Sequence, residues 1–222
     1  MKAFLAIVAL LPACASADSL SDVLARMDQS AQSFRGLAAK MHRLQYTAVL
    51  SESAVMEGTL RLRKARGGTV GVVEFQPPDA RTVFVSGKNI QVYYPKANTV
   101  EIYDASKYVN NIDQFLLLGF GTSSAELMKS YDVRIDGAET IGGKMCERLE
   151  LAPKTQQLKQ LITKIELWIP DGDGNPVREK VTEPSRNYEL VDYSEIQLNP
   201  ALPESAFELR LPAGVKKIYP QK

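Results

Sequence analysis

Between residues 43 and 198 the chain keeps returning to a period of two. Leu44, Tyr46, Ala48 and Leu50 alternate with Arg43, Gln45 and Thr47, and Leu60 and Leu62 alternate with Thr59, Arg61 and Arg63. Ile165, Leu167 and Ile169 point one way; Lys164, Glu166 and Trp168 point the other. Such alternation describes strands with one face buried. Further strand patterns lie at 69–75, 82–86, 89–94, 99–103, 131–135, 145–151, 177–182 and 188–198. Turn formers punctuate them: Gly67-Gly68, Pro77-Pro78-Asp79, Gly87, Lys96 to Asn98, and "PDGDGNP" at 170–176. The result reads as an antiparallel meander of about eleven strands. A sheet that wide must roll up or bury one face under helices.

Two stretches depart from this period. Leu20, Leu24, Met27, Ala31, Phe34, Ala38 and Met41 recur at spacings of four and three, which predicts a helix over 19–41. Asp18 or Ser19 is its N-cap, and Gly36 is a point where it bends or ends. Within 108–130, "NIDQFLLLGFG" is too apolar for an ordinary loop. "TSSAELMKSY" then reads as a helix, with Ser123 and Glu126 at capping-box spacing. The expected fold is one α+β domain over 18–222.

Residues 1–17 read as a signal peptide. Lys2 precedes ten apolar residues, too few to span a bilayer, and Ala15 and Ala17 form an A-x-A cleavage site. "LPACASA" also permits a cut before Cys14, which would leave that cysteine to carry lipid. Pro12 fits that second reading poorly. Removing 17 of 222 residues leaves 205, enough for one cored domain. Lys2 is the only charge lost, so 26 basic residues face 26 acidic ones, a balance unlike a nucleic-acid-binding surface. With Cys14 removed or acylated, Cys146 has no disulfide partner, and packing must hold the fold.

Little in the chain suggests catalysis. His42, the sole histidine, sits at the end of the helical pattern with no neighbouring ligand. Cys146 reads as a small buried hydrophobe. "DGDGNPVREKVT" starts like a calcium loop, but Pro176 and Thr182 stand where glycine and glutamate are required, so it reads as a hairpin turn. No metal and no cofactor are expected. "FLLLGFG", Phe115 to Gly121, is either a core helix or a movable lid flexed at its glycines.

Several ordered stretches carry a resemblance. They are "GTLRLRKARGGTVGVVEFQPPDA" (58–80), "VSGKNIQVYYPKANTVEIYD" (85–104), "FLLLGFGTSSAELMKSYDV" (115–133), "IELWIPDGDGNPVREKV" (165–181) and "NPALPESAFELRLPAGVKKI" (199–218). Together they resemble the LolA-type outer-membrane lipoprotein-sorting proteins. The resemblance implies a strongly curved antiparallel half-barrel capped by the first helix and the helical insertion. It implies a non-catalytic periplasmic carrier whose apolar cavity shields lipoprotein acyl chains. Such a carrier is a monomer that takes cargo from an inner-membrane ABC exporter and delivers it to an outer-membrane acceptor. A lipid-anchored receptor of the same fold, acylated on Cys14, and a lipid-sensing envelope regulator are the alternatives.

The resemblance also assigns residues. Leu24, Met27 and Phe34 on the first helix would line the cavity, with Leu116, Leu117, Leu118 and Phe120 on the insertion and Val70 and Val72 on the sheet. The family's lid-latching arginine is assigned to Arg66, counting back from Pro77; counting forward from Gly58 gives Lys64 as the alternative. The family's aromatic pair is Val70 and Val72 here.

Overall fold

The structure, a computed structural model, describes residues 18–66, 68–104 and 118–220. Its strands are β1 (Gly36–Thr47), β2 (Glu52–Ala65), β3 (Gly68–Phe75), β4 (Arg81–Ser86), β5 (Asn89–Tyr94), β6 (Thr99–Asp104), β7 (Tyr131–Ile141), β8 (Lys144–Pro153), β9 (Lys164–Pro170), β10 (Arg178–Thr182), β11 (Tyr188–Leu198) and β12 (Lys216–Ile218). They form one open, curved sheet in the order β12-β6-β5-β4-β3-β2-β1-β11-β10-β9-β8-β7. The eleven expected strands form two antiparallel meanders, β1–β6 and β7–β11, joined side by side where β1 pairs with β11. β12 adds a twelfth, and because it pairs in parallel with β6 the sheet is mixed. Three residues carry too little alternation to announce a strand.

The helices are α1 (Leu20–Ser33), α2 (Ser124–Ser130) and the single turn α3 (Gln156–Lys159). Ser19 caps α1 and Ser123 caps α2, each in a reciprocal capping box, with Asp22 and Glu126 respectively. These boxes satisfy amide donors that the first turn leaves open.

α1 stops eight residues short of the predicted Met41. The amides of Arg35 and Gly36 donate to Asn199 Oδ1 at 2.6 and 3.1 Å, and Asn199 Nδ2 donates to the Ser33 carbonyl at 3.0 Å. A residue 163 positions downstream of Gly36 thus ends the helix. Gly36 then enters β1 so close to β2 that a Cβ there would lie 2.7 Å from the Leu62 carbonyl oxygen. Beyond it, Leu37, Ala39 and Met41 are buried at a strand's period, which overrides the helical reading of Ala38 and Met41. His42 accordingly lies within β1, with its Nδ1 2.6 Å from Glu57 Oε1, rather than at a helix end.

The registers define two faces. On the inner face, under α1 and α2, Val23, Met27, Leu118, Leu127, Tyr131, Leu149, Leu151, Ile162, Ile165, Leu167 and Ile169 form a buried core in which no residue is more than 4% exposed. A second inner cluster, of Phe34, Leu37, Met41, Leu60, Leu62, Phe75 and Phe120, continues across β1–β3. On the outer face a C-terminal strap crosses β2 and β3 through a 3-10 turn at Glu204–Phe207. Arg61 Nε donates to the Ala206 carbonyl at 3.1 Å, and the Arg63 guanidinium sits 4.6 Å from the Phe207 ring centroid.

The turn between β9 and β10 is a helix dock. Asp173 Oδ1 accepts the amides of Gly174 and Asn175 at 2.7 and 3.0 Å. Arg26 Nε donates to the Asp173 carbonyl and Ser30 Oγ to Asn175 Oδ1, both at 2.9 Å. Asp173 and Asn175 are thus spent on the turn and on α1, as a hairpin turn would use them.

Candidate functional site

The segment Leu118–Ser123 joins the two inner clusters. Leu118 enters the core under α1, and Phe120 enters the cluster over β1–β3. The side chains diverge because Gly119 and Gly121 adopt left-handed φ values of +78° and +65°. A Cβ on Gly121 would lie 2.2 Å from Phe34 Cδ1, and one on Gly119 2.7 Å from Pro176 Cγ. These glycines serve a tight turn and close approach. From Thr122 the chain runs into α2, whose first residue is tied to α1: the Ser124 amide and Oγ donate to Asp28 at 2.6 and 2.7 Å.

Lys64, near the end of β2, holds this segment from the sheet side. Its Nζ donates to the Gly121 carbonyl at 2.8 Å and lies 5.6 Å from the Phe34 ring centroid. Arg66 is exposed in the turn before β3. Of the two latch positions, Lys64 meets the segment in this structure. Strand parity explains the choice: Lys64 shares the inner face with Leu60 and Leu62, and it pairs with Thr69 across β2 and β3.

The same parity relocates the expected sheet lining. Val72 pairs with Arg61 and Val70 with Arg63, so both valines lie on the outer face, beside the strap residues. Val72 is 1% exposed there. The inner positions of these strands are Gly71 and Val73 on β3, Val83 and Val85 on β4, and Ile90 and Val92 on β5. Val73, Val83, Ile90 and Val92 are half-buried, so apolar side chains remain partly open on the inner face. Leu24 is half-buried against the first core and Met27 fully buried in it, while Phe34 leaves α1 as its C-cap and fills the second. Leu116 and Leu117 lie outside the described residues, as do Cys14 and the rest of 1–17. Val23, fully buried on α1, was not in the predicted stripe, although its i, i+4 spacing to Met27 places it on the same face.

Between the clusters the inner face turns polar. Past Met41 the inner positions of β1 are Arg43 and Gln45, while Leu44 and Tyr46 face outward, Tyr46 stacked 4.9 Å from Tyr188. Arg43 is ion-paired with Glu189, and its guanidinium lies 5.5 Å from the Phe75 ring centroid. Beside them the Tyr193 hydroxyl donates to Glu179 Oε2 at 3.2 Å, and Phe120 meets the Tyr193 ring edge-on at 5.2 Å. Burial pushes the Glu179 carboxyl up to about 8, against the Tyr193 hydrogen bond, which lowers it, and with help from the nearby Glu189 charge. Burial likewise raises Tyr193 well above the usual phenol range.

A groove of about 710 Å³ opens elsewhere, beside β10 and β11. Its lining mixes apolar side chains, among them Ile141, Val177, Tyr193 and Ile196, with Asp173, Arg178, Asp192 and Glu195. Arg178 Nε donates to its cross-strand neighbour Asp192 Oδ1 at 2.5 Å, a charged pair that an acyl chain lying there would have to desolvate. Cys146 is fully buried, with burial pushing its thiol up, which suits packing and opposes nucleophilic use. Among the described residues, no group of three or more His, Cys, Asp or Glu side chains could hold a metal ion. No described helix is long and apolar enough to cross a membrane.

Residues 49–210 match the family described as outer membrane lipoprotein carrier protein LolA. The chain belongs to the LolA family. The match includes β2 through β11 and the 3-10 turn of the strap, and leaves out α1, all of β1 and β12. Solved structures share the fold at low identity. An uncharacterized conserved protein from Thermus thermophilus is 15% identical with a TM-score of 0.52, over 90% of this chain and 98% of that one. MucB, also solved from Pseudomonas aeruginosa in complex with MucA, is 13% identical with a TM-score of 0.52, over 86% of this chain and 62% of MucB. A LolA superfamily protein from Nitrosomonas europaea is 13% identical with a TM-score of 0.42, over 87% of this chain and 99% of that one. No curated protein sequence matches the chain.

Proposed function

We propose that this LolA-family protein is a non-catalytic periplasmic carrier that shields the acyl chains of lipoproteins, or of related lipids, against the inner face of its sheet. The observation that carries this reading is the registered row Val73, Val83 and Val92, with Ile90 in the neighbouring row. It extends the second core cluster but stays half-buried beside the segment that Lys64 holds. Each buried methylene is worth ~0.8 kcal/mol, so a chain of about 14 gains roughly 11 kcal/mol on leaving water. Release is feasible only if the site opens cheaply. One hydrogen bond from Lys64, worth ~1 kcal/mol net, meets that condition.

In this scheme the protein works as a monomer, exported by the signal peptide at 1–17. It receives cargo from an inner-membrane ABC exporter and passes it to an outer-membrane acceptor. Native mass spectrometry of protein recovered from its own cell envelope, followed by titration of the delipidated protein with a fluorescent fatty acid, tests the proposal. Co-purified acylated species and saturable binding are expected. Failure of the delipidated, folded protein to bind any acyl probe would contradict it.

A further inference from the structure

A polar island lies in the middle of the inner face, between the two core clusters. Across β7, β8, β9, β10, β11 and β1, one registered inner row reads Ile135, Leu149, Leu167, Glu179, Val191 and Arg43. Two ionisable side chains thus interrupt an otherwise apolar row at the seam between the two core clusters. The seam is not sealed. The Arg43 side chain is 16% exposed and its partner Glu189 42% exposed. Within it, Arg43 Nε is buried with no hydrogen-bond partner among the described residues. An orphaned buried donor is costly, and a bound acceptor would remove that cost.

We infer that Arg43, Glu179 and Tyr193 form a polar seat for the carbonyl oxygens of the ester or amide linkages that join acyl chains to a headgroup. The inference rests on the carrier reading and deepens it by assigning the end of the amphiphile that the apolar row cannot hold. Arg43 Nε supplies one donor. Glu179, neutral at neutral pH, supplies a second through its O–H, while its Oε2 accepts from Tyr193. Arg43 and Glu189 neutralise each other, so the seat carries no net charge with Glu179 protonated. That balance favours a neutral acceptor over a phosphate or free carboxylate. Phe120 against Tyr193 couples the seat to the segment latched by Lys64, so an occupied seat and a closed segment support each other.

The test uses delipidated full-length protein and three probes with one hexadecyl-length chain: monopalmitoylglycerol, its ether analogue hexadecylglycerol, and hexadecyl phosphate. The ester should bind about tenfold more tightly than the ether, the effect of one or two hydrogen bonds. Glu179→Leu should cut that preference several-fold, to the part the Arg43 donor supplies. Glu179→Gln, which keeps a donor and the side-chain shape, should retain it. Raising the pH through 8 should weaken the preference in the parent and not in Glu179→Gln. The groups facing Glu179 are Tyr193 and Glu189 from β11, Arg43 from β1 and Tyr131 from the start of β7. Burial holds Tyr193 and Tyr131 protonated through that range, and Arg43 stays charged. Equal ester and ether affinities would overturn the seat while leaving the carrier reading intact. Preference for the phosphate would overturn its assignment to neutral carbonyls. Binding of none of the three would remove the carrier reading and the seat together.

Discussion

Over β7–β9 the inner residues Leu149, Leu151, Ile165 and Leu167 lose all exposure to water, whereas over β3–β5 Val73, Val83, Ile90 and Val92 keep part of theirs. The strands are built alike: both regions are antiparallel, registered and apolar on the inner side. What differs is the cover. α1, α2 and Leu118 seal the first region, with the β9–β10 turn locking α1 in place. Among the described residues, no helix packs on the inner side of the second, and the strap crosses β2 and β3 on the outer side. Burial is therefore deepest at one end of the sheet, and the proposed binding surface lies at the other.

The largest expected effect comes from the sealed end. Leu167→Ala removes a fully buried side chain that cannot collapse around the gap, and should cost about 3–4 kcal/mol in chemical denaturation with little change in acyl-probe affinity. Gly121→Ala meets both a left-handed φ and the Phe34 ring, and should cost about 2 kcal/mol while displacing the segment at the boundary of the two ends. Glu179→Gln should act in the opposite direction. A carboxyl raised from 4.5 to about 8 in the fold contributes stability that is fully present below pH 4.5 and lost as pH rises through 8. Thermal melts should show the variant gaining on the parent across that window, by about 1–3 kcal/mol at pH 8.

At the open end, Val83→Ala should cost under ~1 kcal/mol because the side chain is half-buried, yet weaken acyl-probe binding several-fold. Equal loss of stability for Val83→Ala and Leu167→Ala would erase the distinction between the ends. The smallest effect is that of Lys64→Met, about 0.5–1 kcal/mol, read best as faster amide exchange at Phe120 to Thr122.

The distinction between the ends was only partly legible in the chain. Alternation revealed the strands because a half-buried sheet imposes period two on side chains, and capping-box spacing placed the start of α2 because that motif is local. The end of α1 was marked only by Gly36, which left a bend and a stop equally open; what fixes the stop is Asn199, which reaches Ser33 and Gly36 only after the sheet has formed. The face of β3 was misplaced for a related reason. Valine occurs at both Val72 and Val73, and only pairing with β2 decides which looks inward. Lys64 could have been preferred over Arg66 from its parity with Leu60 and Leu62, a signal present in the strand itself. The polar inner positions Arg43, Glu179 and Glu189 looked like solvent-facing residues of alternating strands, because a sequence does not announce which side of a strand the helices will cover.

Methyl NMR of the delipidated protein titrated with a nitroxide-labelled stearic acid tests most directly whether the open end is where acyl chains lie. Paramagnetic broadening should be strongest at Val73, Val83, Ile90 and Val92, and weak at Leu149 and Leu167. Broadening centred on the sealed core, on Val72 of the outer face, or nowhere on the protein would contradict the account.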